Sequence, residues 1–333
     1  MGSAAAVNLN DESVTERSCV AQWDECRLFR YGAEDHHRGA KPPLLLVYAL
    51  VNKPVILDLM EGVSTIARLL EEGLDVYLLE WGDPPVEAPG LSLEDYINGY
   101  IDQAVDYVRE SRNEADVSLM GICQGGTLSL CYAALHPEKV AGLVTVVTPV
   151  DFQTPDNLLS HWSQLLDIDL LVDSMGNIPG VMLTSVFKSL QPGRLLLEKY
   201  LDLADSLDRL DEGKRRQRAM MFLAMERWIV DSPDQAGEAF RGFIKGCYQQ
   251  NLLVKGRFRV GDKAVDLANL SMPVLNIFAT QDHLVPPSAS RVLEGFVPAS
   301  DYRELEVDTG HIGMFVGSKA LREMPTAVAS WLQ

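Results

Sequence analysis

Val117-Ser-Leu-Met-Gly-Ile-Cys-Gln-Gly-Gly126 is the stretch from which the fold is read. The apolar run Val117–Met120 has the length of a strand. From Gln124 to Leu135 the apolar period becomes that of a helix, with Leu128, Cys131, Tyr132 and Leu135 on one stripe. Between them, Gly121-Ile-Cys-Gln-Gly125 places a nucleophile between two glycines, with cysteine where a serine often stands. Glycine is needed there because the neighbours of the nucleophile pass close to it on a sharp strand-to-helix bend. The bend lifts the sulfur above the sheet, and the helix N-terminus behind it lowers the cost of a thiolate. A Gly-rich turn around a structural cysteine has the same letters, so the chemical reading of Cys123 depends on partners elsewhere in the chain.

Upstream, Arg27–Tyr31 alternates like an outer strand. Leu44–Tyr48 is continuously apolar, as a strand covered on both faces of a parallel sheet is. Ser64 to Glu72 reads as a helix stopped by Gly73, and Val76–Leu79 as the next strand. Ser92 with Asp95 caps a helix that carries Ile97, Ile101, Ala104 and Val108 on one face. Downstream, Leu143–Val147 supplies another buried strand. After Pro149 the rhythm is helical until strands return at Val274–Phe278 and Tyr302–Val307. Buried strands alternating with helices imply an α/β fold with a mostly parallel, doubly wound sheet. Residues 27–150 and 271–333 are expected to form its core, and residues 1–26 a tail or docking segment. Residues 151–270 are expected to form a largely helical cap inserted between two sheet strands, over the strand ends where such sheets bind ligands.

The strand Val274–Phe278 runs into Ala279-Thr-Gln-Asp-His-Leu-Val-Pro-Pro287, which puts Asp282 just past a carboxyl end. Tyr302–Val307 leads into Asp308-Thr-Gly-His-Ile-Gly313, where His311 sits among small residues. The order Cys123, Asp282, His311 is the nucleophile–acid–base order of the α/β-hydrolase fold. In that reading His311 takes the thiol proton, while Asp282 orients the imidazole and stabilises its cation. The backbone N–H groups of Gln124 and Val51 are the expected oxyanion donors. His283, beside the acid, faces another way and is a candidate for touching substrate or holding the loop. A cysteine at this bend forms a thioester, close in energy to an incoming thioester, so acyl groups exchange with little thermodynamic loss. An acyltransferase is therefore favoured over a simple esterase, with the cap keeping water out.

The chain has 333 residues and a net charge of −18, which argues against a broad nucleic-acid interface. Its 5 cysteines are odd in number and form no CxxC pair, so neither a disulfide framework nor a zinc site is expected. No cofactor is called for. The start lacks a secretory pattern, and no apolar run approaches the ~20 residues of a membrane span, so a cytoplasmic location is expected. His36 and His37 are adjacent and point apart, which does not make a metal site. His136 ends the helix after Cys123, where a cation suits the helix dipole, and His161 is uninformative. Lys214-Arg-Arg-Gln-Arg218 is the one basic run and reads as a solvated helix face.

Gly121-Ile-Cys-Gln-Gly-Gly126 resembles the lipase-like box of polyhydroxyalkanoate synthases. The similarity extends through Leu45–Pro54, Asp95–Tyr100, Val147–Pro155, Met175–Gly180, Asp231–Gly237, Gln281–Pro287 and Gly310–Gly313. The short chain resembles the catalytic subunit of the class III enzymes, although its Ala-rich start departs from the family pattern. The resemblance implies polymerisation of (R)-3-hydroxyacyl-CoA, typically 3-hydroxybutyryl-CoA, into a storage polyester with release of CoA. It implies that Cys123 carries the growing chain and His311 activates it. Asp282 either activates the 3-hydroxyl of the incoming monomer or orients His311. The implied partners are a second copy through the cap, a separate accessory subunit, and the surface of polyester granules. Two other readings share the fold: a cysteine hydrolase of the dienelactone-hydrolase or thioesterase type, and a catalytically dead binding or granule-coat protein.

Overall fold

The computed structural model describes residues 13–32, 43–85, 90–190, 203 and 210–332. Eight strands form one sheet: β1 (Arg17–Trp23), β2 (Cys26–Tyr31), β3 (Pro43–Val47), β4 (Asp75–Glu80), β5 (Val117–Ile122), β6 (Val140–Val146), β7 (Val274–Ala279) and β8 (Tyr302–Val307). Their spatial order is β1-β2-β4-β3-β5-β6-β7-β8. The β1–β2 hairpin joins β4 antiparallel, and every later pair is parallel. β3, β5 and β7 are buried at every position, because helices cover both faces of a parallel sheet.

The pleat divides each strand between two cores. Leu45, Val47 and Leu119 enter one buried cluster, while Leu44, Leu46 and Met120 enter the other. The second cluster is closed by α1 (Thr65–Glu71), whose N-cap Ser64 Oγ accepts the Ala67 N–H at 2.8 Å. The first is closed by α2 (Asp102–Arg112) and α3 (Gln124–Leu135). A π-wound turn, Asp95–Ile101, runs straight into α2, and Asp95 Oδ2 accepts from both Ser92 N–H (2.7 Å) and Ser92 Oγ (2.8 Å). Ile97, Ile101, Ala104 and Val108 are buried on the expected face. α3 differs from its expected stripe: Gln124 through Ala134 are all buried, since the sheet, α2 and the chain around Leu267 enclose this helix on every side.

Between β6 and β7 lie α4 (Leu158–Ser163), α5 (Ile168–Met175), α6 (Gly180–Leu190), α7 (Glu212–Val230) and α8 (Gly237–Phe243). Ile168, Val172, Ile178 and Leu183 make a small separate core among them. Not all of residues 151–270 stand apart from the sheet, however. Phe243, Cys247, Leu253, Phe258, Val265 and Leu270 belong to the same buried cluster as α2 and α3. The stretch from Ala236 onward is therefore continuous with the main core, which narrows the expected cap. The basic run at 214–218 is exposed along α7, as a solvated face is.

The expected tail, residues 1–26, is also narrowed. Arg17–Trp23 is a sheet strand, bulged between Cys19 and Ala21, and Asp58 accepts the Thr15 N–H and the Thr15 hydroxyl at 2.8 Å each. An edge strand with one neighbour and mostly partial burial leaves little apolar alternation to read. His36 and His37 lie outside the described residues. The chain closes with α9 (Pro287–Arg291), α10 (Gly313–Val316) and α11 (Ala320–Trp331), the last packed by Met324, Val328 and Ala329 on the cluster that holds α1.

Candidate active site

Cys123 is the hinge between β5 and α3 and has φ 53° and ψ −122°, a strained conformation for a residue with a side chain. It persists because the surroundings over-determine it. The Cys123 N–H donates to Val146 O at 2.9 Å, and its carbonyl accepts from Gly126 N–H at 2.9 Å. A Cβ at Gly125 would run into the carbonyls of Val47 and Tyr48, and one at Gly126 into the Thr148 hydroxyl. The glycine pair thus lets α3 seat directly against the ends of β3 and β6.

The loops after β7 and β8 are laced together. Thr280 N–H donates to Val307 O and Gln281 N–H to Thr309 O, both at 3.0 Å. Thr280 Oγ1 and Gln281 Nε2 both donate to Asp308 Oδ1, at 3.0 and 2.8 Å. This lacing brings His311 Nδ1 to 2.6 Å from Asp282 Oδ2. Asp282 Oδ1 meanwhile accepts the N–H groups of Leu284 (2.8 Å) and Val285 (2.9 Å). Because the carboxylate can only accept, Nδ1 carries the proton and Nε2 is left for the other side of the ring.

Cys123, just past the end of β5, lies close enough for its charge to act on the imidazole. Burial disfavours a charged His311, yet the Asp282 carboxylate, the charge at Cys123 and the hydrogen bonds to both hold its pKa well above the ordinary value. The structure thus unites the three side chains expected from chain order. Cys123 is half-buried, while Asp282 and His311 are each 7% exposed, so Cys123 is the most accessible of the three residues.

Gln124 is the first residue of α3, and Val51 lies in the loop after β3. The Gln124 N–H opens α3 and has no acceptor within the helix. In the loop after β3, Leu50 N–H donates to Gln124 Oε1 at 3.0 Å, which leaves Val51 as the next donor along the loop. The side-chain role of Gln124 was not foreseen from sequence. Two tyrosines also escaped notice: burial first, then the charge at Cys123, pushes the phenols of Tyr48 and Tyr248 up. No local pattern marks them.

His283 is exposed and lines a shallow cleft of about 430 Å³ with Asp156, Leu158, Leu190 and Pro287. It does not share the bonding of its neighbour to His311. His136 stacks on Tyr132 at 4.8 Å, and its Nε2 is 3.0 Å from Asn98 Oδ1. Burial lowers its pKa, against the expectation of a cation at the end of α3.

A sheet in this order, with a nucleophile bend after β5, an acid after β7 and a histidine after β8, defines an α/β hydrolase. The family described as "alpha/beta hydrolase fold" matches residues 42–318. Among solved structures, a thermophilic esterase from Thermogutta terrifontis superposes with a TM-score of 0.55 at 16% identity, covering 95% of this chain and 98% of that one. This likeness shows the fold. The poly(3-hydroxyalkanoate) polymerase subunit PhaC of Allochromatium vinosum is 53% identical, over 97% of this chain and 89% of its own. The PhaC subunit of Thiocystis violacea is 51% identical over the same shares, and that of Synechocystis is 46% identical over 97% and 87%. The chain belongs to the family of poly(3-hydroxyalkanoate) polymerase PhaC subunits.

Proposed function

We propose that this protein polymerises (R)-3-hydroxyacyl-CoA, chiefly 3-hydroxybutyryl-CoA, through a thioester on Cys123. The observation that carries the proposal is a cysteine at a strained strand-to-helix bend facing a buried His311–Asp282 pair, in a chain 53% identical to a PhaC subunit. His311 takes the thiol proton, and the sulfur attacks the thioester carbonyl of the substrate. The oxyanion is held by the N–H groups of Gln124 and Val51. The bond to the CoA sulfur breaks, and His311 returns the proton to the departing thiol. The 3-hydroxyl of the next monomer then attacks the Cys123 thioester, losing its proton to His311 as the ester forms and the Cys123 sulfur leaves. The lengthened chain, still a CoA thioester, reacylates Cys123 and releases its CoA.

Asp282 acts in this scheme by orienting His311. Both of its oxygens already accept hydrogen bonds within the site, which supports that role over direct activation of the monomer hydroxyl. No cofactor is required. The same reading carries a second copy meeting through the cap, an accessory subunit and attachment to polyester granules in the cytoplasm. Exposed Leu165 in the turn after α4, with Leu170 on α5 and Val181 on α6, supports an apolar partner there. Among the described residues no helix is long and apolar enough to cross a membrane.

The test is CoA release from 3-hydroxybutyryl-CoA, with the products separated. Cys123→Ala is expected to abolish release, and the wild-type chain to yield polyester rather than stoichiometric free acid. Undiminished turnover by Cys123→Ala would remove the nucleophile, and free acid alone would make this a hydrolase.

A further inference from the structure

Two motifs far from Cys123, Met175-Gly-Asn-Ile-Pro-Gly180 and Asp231-Ser-Pro-Asp-Gln-Ala-Gly237, fold against each other. Ile178 and Gln235 exchange both backbone hydrogen bonds, at 2.8 and 2.9 Å, and Gly180 N–H donates to Asp234 Oδ1 at 2.9 Å. The approach is close enough that a Cβ on Gly180 would strike the Ser232 carbonyl, and one on Gly237 the Gly176 carbonyl. This tight joint holds the C-terminal end of α7, and that end grips the loop after β3. Asn52 Nδ2 donates to Trp228 O at 3.2 Å and to Ile229 O at 3.4 Å, and Asn52 N–H donates to Ser232 Oγ at 3.3 Å. In return Trp228 Nε1 donates to Lys53 O at 2.8 Å, and Lys53 Nζ pairs with Asp231 at 2.9 Å.

The gripped loop is the one that supplies Val51. Trp81 Nε1 donates to Tyr48 O at 2.9 Å where the loop begins, Leu50 is held by the Gln124 side chain, and Asn52–Lys53 are held by α7. Asn52 has φ 56°, a left-handed turn that asparagine tolerates, and this turn aims the side chain at the end of α7. The carbonyls it meets lie in the last turn of α7, where Trp228 O also accepts the Asp231 N–H at 3.2 Å and Ile229 O the Thr184 hydroxyl at 3.4 Å, so Asn52 joins a helix end that is already closed. A displacement of α7 is therefore transmitted to the N–H beside Asn52, while the donor from Gln124 stays with α3.

We propose that Asn52 is a positioning residue, with Trp228 as its counterpart, that makes the Val51 oxyanion donor follow the end of α7. Acyl transfer at Cys123 then depends on where the cap helix sits, although that helix supplies no reacting group. The proposal rests on Cys123 as the nucleophile and Val51 as a donor. Binding on the outside of α7 reaches the chemistry by this route. An oxyanion donor contributes roughly 10²- to 10³-fold to rate and falls off steeply with geometry, so a modest shift of the loop is sufficient to matter.

The experiment uses Asn52→Gly, which keeps the left-handed backbone and deletes the amide, and Trp228→Phe, which keeps a ring and deletes the N–H. Two reactions of Cys123 are measured in the full chain. CoA release from 3-hydroxybutyryl-CoA passes through an oxyanion, whereas alkylation by iodoacetamide displaces iodide and forms none. Each variant is expected to lose about tenfold or more in kcat, with KM for the thioester within about threefold and the alkylation rate within about twofold of wild type. Unchanged kcat in both variants overturns the proposal, as does a parallel fall in alkylation, which would place the defect in the thiol or the fold. Turnover that survives complete alkylation of wild-type Cys123 would instead remove the underlying assignment of the nucleophile, and the proposal with it.

Discussion

Replacing Asp282 with asparagine separates the two roles open to this carboxylate. Asp282 Oδ1 accepts two backbone N–H groups, at 2.8 and 2.9 Å, so in the variant the amide oxygen keeps that place and the NH₂ group turns toward His311. At the 2.6 Å contact a donor would then face a donor, and Nδ1 must give up its proton. Nε2 becomes the protonated nitrogen, pointing at the thiol whose proton it should accept. In serine-based triads this tautomer error costs about 10⁴ in kcat. The lost attraction between carboxylate and imidazolium is of similar size: about 4 kcal/mol at ~4 Å and an effective dielectric of ~20, or roughly a thousandfold. The two are not additive, and the expected fall is between about 10³ and 10⁴ in the acylation step. Rapid quenching and quantitation of the first CoA released, which needs no monomer hydroxyl, isolates that step. An Asp282→Asn variant whose first CoA appears at near wild-type rate while later releases slow would refute this reasoning, and would assign the carboxylate to the monomer hydroxyl instead.

The raised pKa of His311 has a consequence for stability. Its folded state binds a proton more tightly than the unfolded chain, so its contribution is fully present below about pH 6.5 and is lost as pH rises through the folded pKa. Denaturant unfolding of wild type and His311→Gln across pH is expected to show a gap that narrows on the alkaline side; a gap that widens there contradicts the ion-pair picture. Gly125→Ala is expected to act on packing, since its Cβ meets the carbonyls of Val47 and Tyr48 with nowhere to retreat. A loss of about 1–3 kcal/mol, read as a lowered Tm, with much reduced CoA release is expected. An unchanged Tm would mean that the bend has slack.

Much of the fold was legible before any coordinates. Leu44–Val47 and Val274–Phe278 announce strands covered on both faces, and Ser64 and the Ser92–Asp95 pair announce helix starts, because such signals are local. The candidate site was legible for a related reason: Cys123, Asp282 and His311 each follow a readable strand, and one sheet topology sends all three strand ends to the same edge. Edge strand β1 was missed, since a ribbon with a single neighbour need bury little. The full burial of α3 and the neutral tendency of His136 also depend on what surrounds that helix, which its own residues do not state.

By itself the sequence determined the layered α/β architecture and the family, and it singled out Cys123, Asp282 and His311 as the candidate site, all carried by periodicity, chain order and motif. Only the tertiary structure decided which parts of residues 151–270 join the main core, that the Gln124 side chain holds Leu50, and that Asn52 grips the end of α7. The physical reason is separation along the chain. Asn52 and Trp228 are 176 residues apart, and nothing in either segment specifies the other until the helices dock on the sheet and leave their terminal carbonyls facing that loop.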